Sequence, residues 1–135
     1  KGTYIHTLCH DVGAKLGVGA HLSFLSRVRS GPFTFQDAFT LEAIADLAAR
    51  GDMRFLLPMT SALPHWAQVK VSPTAERRVR NGNAITPDDF VDVPRDLQVG
   101  DYVFLLELSG NVLAAGQIRY TGKLICQPIR VFVEG

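Results

Sequence analysis

The first thirty residues read Lys1-Gly2-Thr3-Tyr4-Ile5-His6-Thr7-Leu8-Cys9-His10, then Asp11-Val12-Gly13-Ala14-Lys15-Leu16-Gly17-Val18-Gly19-Ala20, then His21-Leu22-Ser23-Phe24-Leu25-Ser26-Arg27-Val28-Arg29-Ser30. Ile5, Leu8, Cys9, Val12 and Leu16 recur at helical offsets and make one apolar stripe. Thr3 offers an N-cap oxygen to the free amides of the first turn. Gly17 stands where a helix ends in the left-handed conformation. From Ala20 to Arg29 the period changes to two. Leu22, Phe24, Ser26 and Val28 face one way, and His21, Ser23, Leu25, Arg27 and Arg29 the other. The stretch predicts strand end, helix, glycine-rich turn and strand. Two arginines beside Leu25 suit a surface where phosphate meets an apolar wall.

The pattern continues downstream. Gly31-Pro32-Phe33 marks a turn. Thr40 can cap a helix whose apolar side is Leu41, Ile44, Leu47 and Ala48, and Gly51 stops it. Pro58 and Pro64 bracket the clearest domain boundary. Trp66 to Val71 alternates as a strand. Ser72-Pro73 opens a short helix, Thr74–Arg80, closed by Asn81-Gly82. After an acidic, loop-rich stretch come three expected strands, Tyr102–Leu108, Val112–Tyr120 and Leu124–Val133. A strand and short helix before three hairpin-linked strands predict a small mixed β-barrel.

The chain has 135 residues, 47% hydrophobic and 20% charged, which supports a packed core and excludes disorder. Its apolar runs are too short to span a bilayer. The net charge of +1 argues against a bulk polyanion binder. Cations are clustered instead. Lys1, Lys15, Arg27 and Arg29 face only Asp11 in the first thirty residues, and Lys70, Arg77, Arg78 and Arg80 face only Glu76 in the helix region. Local basic faces of this kind fit selective RNA contact, and each is equally readable as solvated surface. Cys9 on the helix stripe and Cys126 in an apolar strand read as buried thiols in a reducing compartment. The spacing of His6, Cys9 and His10 can hold zinc on a helix, but no fourth ligand lies nearby and Cys9 belongs to the stripe.

Four ordered blocks carry a family resemblance. They are Lys1-Gly2-Thr3-Tyr4-Ile5, Asp11-Val12-Gly13, Leu16-Gly17-Val18-Gly19-Ala20-His21-Leu22 and Gly31-Pro32-Phe33. Together they resemble the TruB-type tRNA pseudouridine synthases, which make pseudouridine-55 in the T-loop. The resemblance implies an α+β fold. Residues 1–62 would be the C-terminal part of a mixed-sheet catalytic domain, and residues 63–135 a PUA-like RNA-binding barrel. A chain that begins inside a motif reads as part of a longer protein.

The resemblance also implies roles. Tyr4 would line the pocket for the flipped uridine, and Leu25 would pack against that base. His6 stands where the family has an arginine paired with the catalytic aspartate. Histidine lacks the bidentate fork, and its charge depends on pH. Lys1, Thr3, Arg27 and Arg29 are the expected RNA contacts near the site, with Arg77, Arg78 and Lys123 in the barrel. The family's Gly-x-Leu-Asp-x-x-Ala-x-Gly nucleophile block is absent from this sequence. The parent is therefore expected to be an isomerase acting on tRNA through the T-arm and acceptor side, and this chain to be inactive alone. No metal or organic cofactor is implied. The implied location is cytoplasmic. The partners would be tRNA and the N-terminal catalytic piece, with no membrane. The other reading is a non-catalytic module that binds structured RNA or assembles with such a piece.

Overall fold

The amphipathic stretch forms α1, Ile5–Leu16, in a computed structural model that describes residues 2–132 apart from 93 and 95. Lys1, expected to touch RNA, and Val133, expected in the last strand, lie outside the described residues. The chain divides into two compact units, Lys1–Ala38 and Phe39–Gly135.

In the first unit Tyr4, not Thr3, occupies the N-cap position, and no side chain caps the helix. Gly17 closes α1 with φ 71°, as expected. The Val18 and Gly19 amides then both donate to the Gly13 carbonyl at 3.2 Å, folding the chain back over the helix. Gly13 is the buried residue of α1, and a Cβ there would run into the backbone of Gly19 and Ala20. That close approach gives the Asp11-Val12-Gly13 block its physical reason.

The stripe itself is open. Leu8 is 49% exposed, Val12 48% and Leu16 68%, and Cys9 is half-buried rather than buried as expected. None of the described residues of the first unit seals that face. The expected strand from Ala20 to Arg29 is also corrected. Residues 20–28 carry no ladder, and only Arg29 enters a strand. Alternation describes a sequence ready for a sheet, but a strand exists only when a neighbour completes its hydrogen bonds. Here the described neighbour is the hairpin of β1 (Arg29–Ser30) and β2 (Phe33–Thr34). Its two-residue turn is Gly31-Pro32, with Gly31 at φ 58°. A single 3₁₀ turn, Phe35–Asp37, follows.

In the second unit Thr40 caps α2, Leu41–Ala49, accepting the Ala43 amide at 3.2 Å. Ile44 and Leu47 are half-buried, but Leu41 is 81% exposed, because the packing this short helix meets reaches only its middle. The four-stranded sheet has the order β3 (Ala67–Lys70), β4 (Tyr102–Leu106), β5 (Val112–Tyr120), β6 (Leu124–Val131). β3 runs parallel to β4 and the other pairs are antiparallel. Pro73 opens α3, Pro73–Arg80, at its first turn. The segment after α3 then bridges both sheet edges, Ile85 to Cys126 on β6 and Phe90 to Val71 beyond β3. Those bridges close the sheet into the expected barrel.

The barrel core takes Val69 from β3, Val103 and Leu105 from β4, Leu113, Ala114 and Ile118 from β5 and Cys126 from β6, with Ala75 and Val79 from α3. Each fully buried aliphatic side chain of this kind contributes about 1.5–3 kcal/mol. Gly116 is glycine for space, since a Cβ there would sit 2.6 Å from the Cys126 sulfur and 3.4 Å from Leu105. Phe104 and Leu106 are buried too, but outside this core cluster, on the opposite face of β4. The fold is α+β, with a mixed sheet in its second unit.

Candidate nucleic-acid interface

In the first unit the expected pocket residues are accessible. Tyr4 is 77% exposed at the N-cap of α1, and its carbonyl accepts the Leu8 amide at 3.1 Å. His6 lies exposed in the first turn of α1. Leu25 is 60% exposed in the segment before the hairpin. Thr3 is exposed just ahead of the helix. Helix and segment thus present Tyr4, His6 and Leu25 as surface residues rather than as parts of a closed pocket.

Arg27 and Arg29 gather on the hairpin. They line one shallow groove of about 210 Å³ with Phe33, Thr34, Phe35 and Ala38. The Arg29 Nε–H donates to the Gly31 carbonyl at 3.0 Å, which leaves its terminal nitrogens outward. Asp37 is locked below: the Thr34 hydroxyl and amide donate to its Oδ2 at 2.7 and 2.8 Å. Those two donors hold its carboxyl below the usual range. A carboxylate already bound to Thr34 is fixed in place rather than free to swing onto the arginines. The groove therefore combines cations with an apolar floor, the pairing that RNA backbones and unstacked bases use. Phe35 has no role in the sequence reading, and Phe33 enters it only within the Gly31-Pro32-Phe33 block. The signal available was the aromatic at every second position beside the arginines.

In the barrel the expected cations differ in availability. Arg78 of α3 pairs with Asp89, and Arg80 pairs with Glu107. Asp89 also accepts from the Thr86 amide at 2.9 Å and hydroxyl at 3.2 Å, closing a capping box over the turn Pro87–Asp89. Partial burial works to raise the Asp89 carboxyl, and the Thr86 amide, the Arg78 charge and the hydroxyl together outweigh it, so it titrates low. Arg78 thus serves the fold. Arg77 has no ion pair among the described residues, and Lys123 is exposed in the turn between β5 and β6.

A further cluster escaped sequence reading. Trp66 and Tyr102 stack with ring centroids 5.1 Å apart and planes 15° apart, and Phe104 tilts beneath Trp66 at 5.2 Å. The parallel register that sets Ala67 against Val103 brings the preceding residues side by side. Sequence alone shows two separate strand starts, and the missing signal was that pairing.

His6, Cys9 and His10 gather no metal site: among the described residues no group of three His, Cys, Asp or Glu could hold a metal ion. Cys126 is buried, as expected, and burial pushes its thiol up to about 12. Among the described residues no helix is long and apolar enough to cross a membrane.

Comparison with known proteins bears on these surfaces. Residues 6–64 match the family model described as the tRNA pseudouridylate synthase B C-terminal domain. The tRNA pseudouridine synthase B of Pelotomaculum thermopropionicum is 40% identical over 99% of this chain and 44% of its own length. That of Moorella thermoacetica is 41% identical over 97% of this chain and 43% of its own length. The chain thus spans under half the length of these curated relatives. Among solved structures, an H/ACA ribonucleoprotein bound to a substrate RNA containing 2′-deoxyuridine aligns with a TM-score of 0.69 and 28% identity, over 98% of this chain and 47% of that one. An archaeal box H/ACA small ribonucleoprotein complex aligns with a TM-score of 0.68 and 28% identity, covering 98% and 48%.

Proposed function

The chain belongs to the TruB family of tRNA pseudouridine synthases, and from that premise we propose that it is the C-terminal part of an enzyme that isomerises uridine-55 in the tRNA T-loop. The observation that carries the reading is 40% identity to a tRNA pseudouridine synthase B across 99% of the chain. The boundary between its two parts would lie between residues 62 and 63. All of the core cluster falls between Val69 and Cys126, which supports a PUA-like module that closes by itself.

The chemistry sets the division of labour. The glycosidic bond of the target uridine breaks and the base is rejoined through C5, after the nucleotide has left the stack. The carboxylate for this step belongs to a block this chain lacks. Tyr4 and Leu25 would hold the flipped base, and His6 would face the carboxylate in place of the family's arginine. An imidazole can donate one hydrogen bond to it but lacks the bidentate fork of a guanidinium. Thr3, Arg27 and Arg29, with Lys1, would hold the T-arm backbone. Arg77 and Lys123 would approach the acceptor side. The open stripe of α1 suits a covering by the N-terminal catalytic piece, since an apolar face of that kind marks an interaction site. The implied setting is the cytoplasm.

The test uses tRNA labelled with tritium at uridine C5, whose release reports the new carbon–carbon bond. The chain alone should release none. Adding the aspartate-bearing N-terminal part of the Pelotomaculum relative should give release that depends on both pieces. Turnover by the chain alone would overturn the reading. A second reading, a self-standing RNA-binding module, is favoured by the closed barrel core. It predicts tRNA binding without any contribution to turnover in the mixture.

A further inference from the structure

The outer face of the barrel sheet carries an aromatic stack beside free cations. Trp66 and Tyr102 lie nearly parallel at 5.1 Å, and Tyr102 stays 44% exposed. One ring face of Trp66 is taken by Tyr102, and Phe104 tilts against it beneath. The open end of the stack is therefore Tyr102. On the neighbouring strand Gln117 is its cross-strand partner. Arg119, two residues along, shares that face, because its Nε–H donates to Gln117 Oε1 at 3.1 Å. A diagonal neighbour across a sheet is about 7–8 Å away, within reach of a long side chain. The terminal nitrogens of Arg119 have no partner among the described residues.

Charge favours an anion here. The four strands contain Lys70, Arg119 and Arg130 and no Asp or Glu. Asp101, next to Tyr102, is turned away, its Oδ2 accepting the Gln98 amide at 2.8 Å. Gln117 is held too, donating to the Gly100 carbonyl at 3.3 Å. What remains open is a ring face and a guanidinium. That pair fits the two ends of a nucleotide, base on ring and phosphate on cation, without reading sequence.

We propose that Tyr102, backed by Trp66 and flanked by Arg119, is a stacking site for an unpaired RNA nucleotide on the outer face of the barrel. It rests on the reading of the chain as an RNA-binding part of a synthase, and it is separate from the α3 cations. α3 packs on the core side, and its Arg78 and Arg80 are already ion-paired. The site would grip a splayed-out base next to a helical stem, which duplex RNA does not offer.

Trp66 is the single tryptophan of the chain, so its fluorescence reports this face alone. The test titrates the whole chain with a single-stranded RNA oligonucleotide and with a blunt RNA duplex. Trp66 emission and the anisotropy of a label on the RNA are followed together. The single strand should quench Trp66 along the same curve as anisotropy, and the duplex should not quench. Tyr102→Leu, which keeps apolar cover over the strand, should weaken single-strand binding about fivefold to a hundredfold. Arg119→Gln should weaken it less and flatten its salt dependence. Trp66→Ala is avoided because it uncovers Phe104. Anisotropy change without quenching, or undiminished binding by Tyr102→Leu with an unchanged melt, would overturn the site while leaving RNA binding intact. Absence of any anisotropy change would overturn both readings.

Discussion

The two units handle the same kinds of residue in opposite ways. In Phe39–Gly135 Val69, Val103, Leu105, Leu113 and Ile118 of the strands and Ala75 and Val79 of α3 are buried in one core, and Arg78 and Arg80 are tied to carboxylates. In Lys1–Ala38 the apolar stripe of α1 stays open, and Arg27 and Arg29 line a groove with no carboxylate partner among the described residues. An amphipathic helix is stabilised mainly by what covers its face, not by its own propensity. The contrast therefore teaches that the second unit covers its apolar core with its own strands and helix, whereas the first leaves the α1 stripe open. The sharpest break of that comparison is chemical. Burial holds the Cys126 thiol up at about 12, so at neutral pH its thiolate fraction falls roughly a thousandfold below that of a free cysteine. Cys9 is only half-buried. A thiol count with a chromogenic disulfide should therefore find one fast-reacting group in the native chain and two after unfolding. Two fast groups in the native chain would mean that the barrel opens as readily as the first unit.

The next test compares two leucines. Leu105 is fully buried in the core cluster, and Leu16 is 68% exposed on the α1 stripe. Leu105→Ala should lower the stability of the barrel by about 2–5 kcal/mol, from lost burial and the cavity left behind. Leu16→Ala should change the melt of the chain by under about 0.5 kcal/mol. Equal losses in calorimetry would show that the first unit has a core of its own. If Leu16→Ala also reduces self-association in light scattering, the open stripe is the adhesive surface, as an exposed apolar face predicts.

The same contrast explains what sequence could reveal. The barrel was legible because its signals are local and agree. Ser72-Pro73 opens α3, Asn81-Gly82 closes it, and the strand expected at Val112–Tyr120 forms β5 with those bounds. The stacked pair of Trp66 and Tyr102 was not legible, because it depends on a parallel register between strands thirty-odd residues apart in sequence. In the first unit the helix was read correctly, down to Gly17 as its left-handed stop. Its neighbour was not. Residues 20–28 alternate like a strand, yet they lack the ladder that makes one. Period reports which faces a segment could bury, and only a partner decides whether it does. For the site, residue types and order pointed to Arg27 and Arg29, which the hairpin does bring to one groove. They could not show that Arg78 would be taken by Asp89, since that pair joins α3 to the later turn Pro87–Asp89.

That ion pair gives the smallest and most specific test. Asp89 titrates low: partial burial raises its carboxyl, and the Thr86 amide and Arg78 charge overcome that rise. A carboxylate whose folded value is depressed stabilises above its unfolded value near about 3.9, and loses that contribution as pH falls through the folded value. Asp89→Asn keeps the shape and one acceptor for Thr86 but removes the charge facing Arg78. At neutral pH it should cost under about 1 kcal/mol, because Arg78 is 45% exposed and water screens the pair. The gap between the two proteins should narrow as pH falls below the unfolded value and close once pH has passed the depressed folded value, where the native carboxylate is protonated as well. Chemical denaturation at a series of pH values measures this directly. A gap that persists unchanged at the acid end would mean that Asp89 holds its turn by geometry alone, and Arg78 would then return to the set of cations free for RNA.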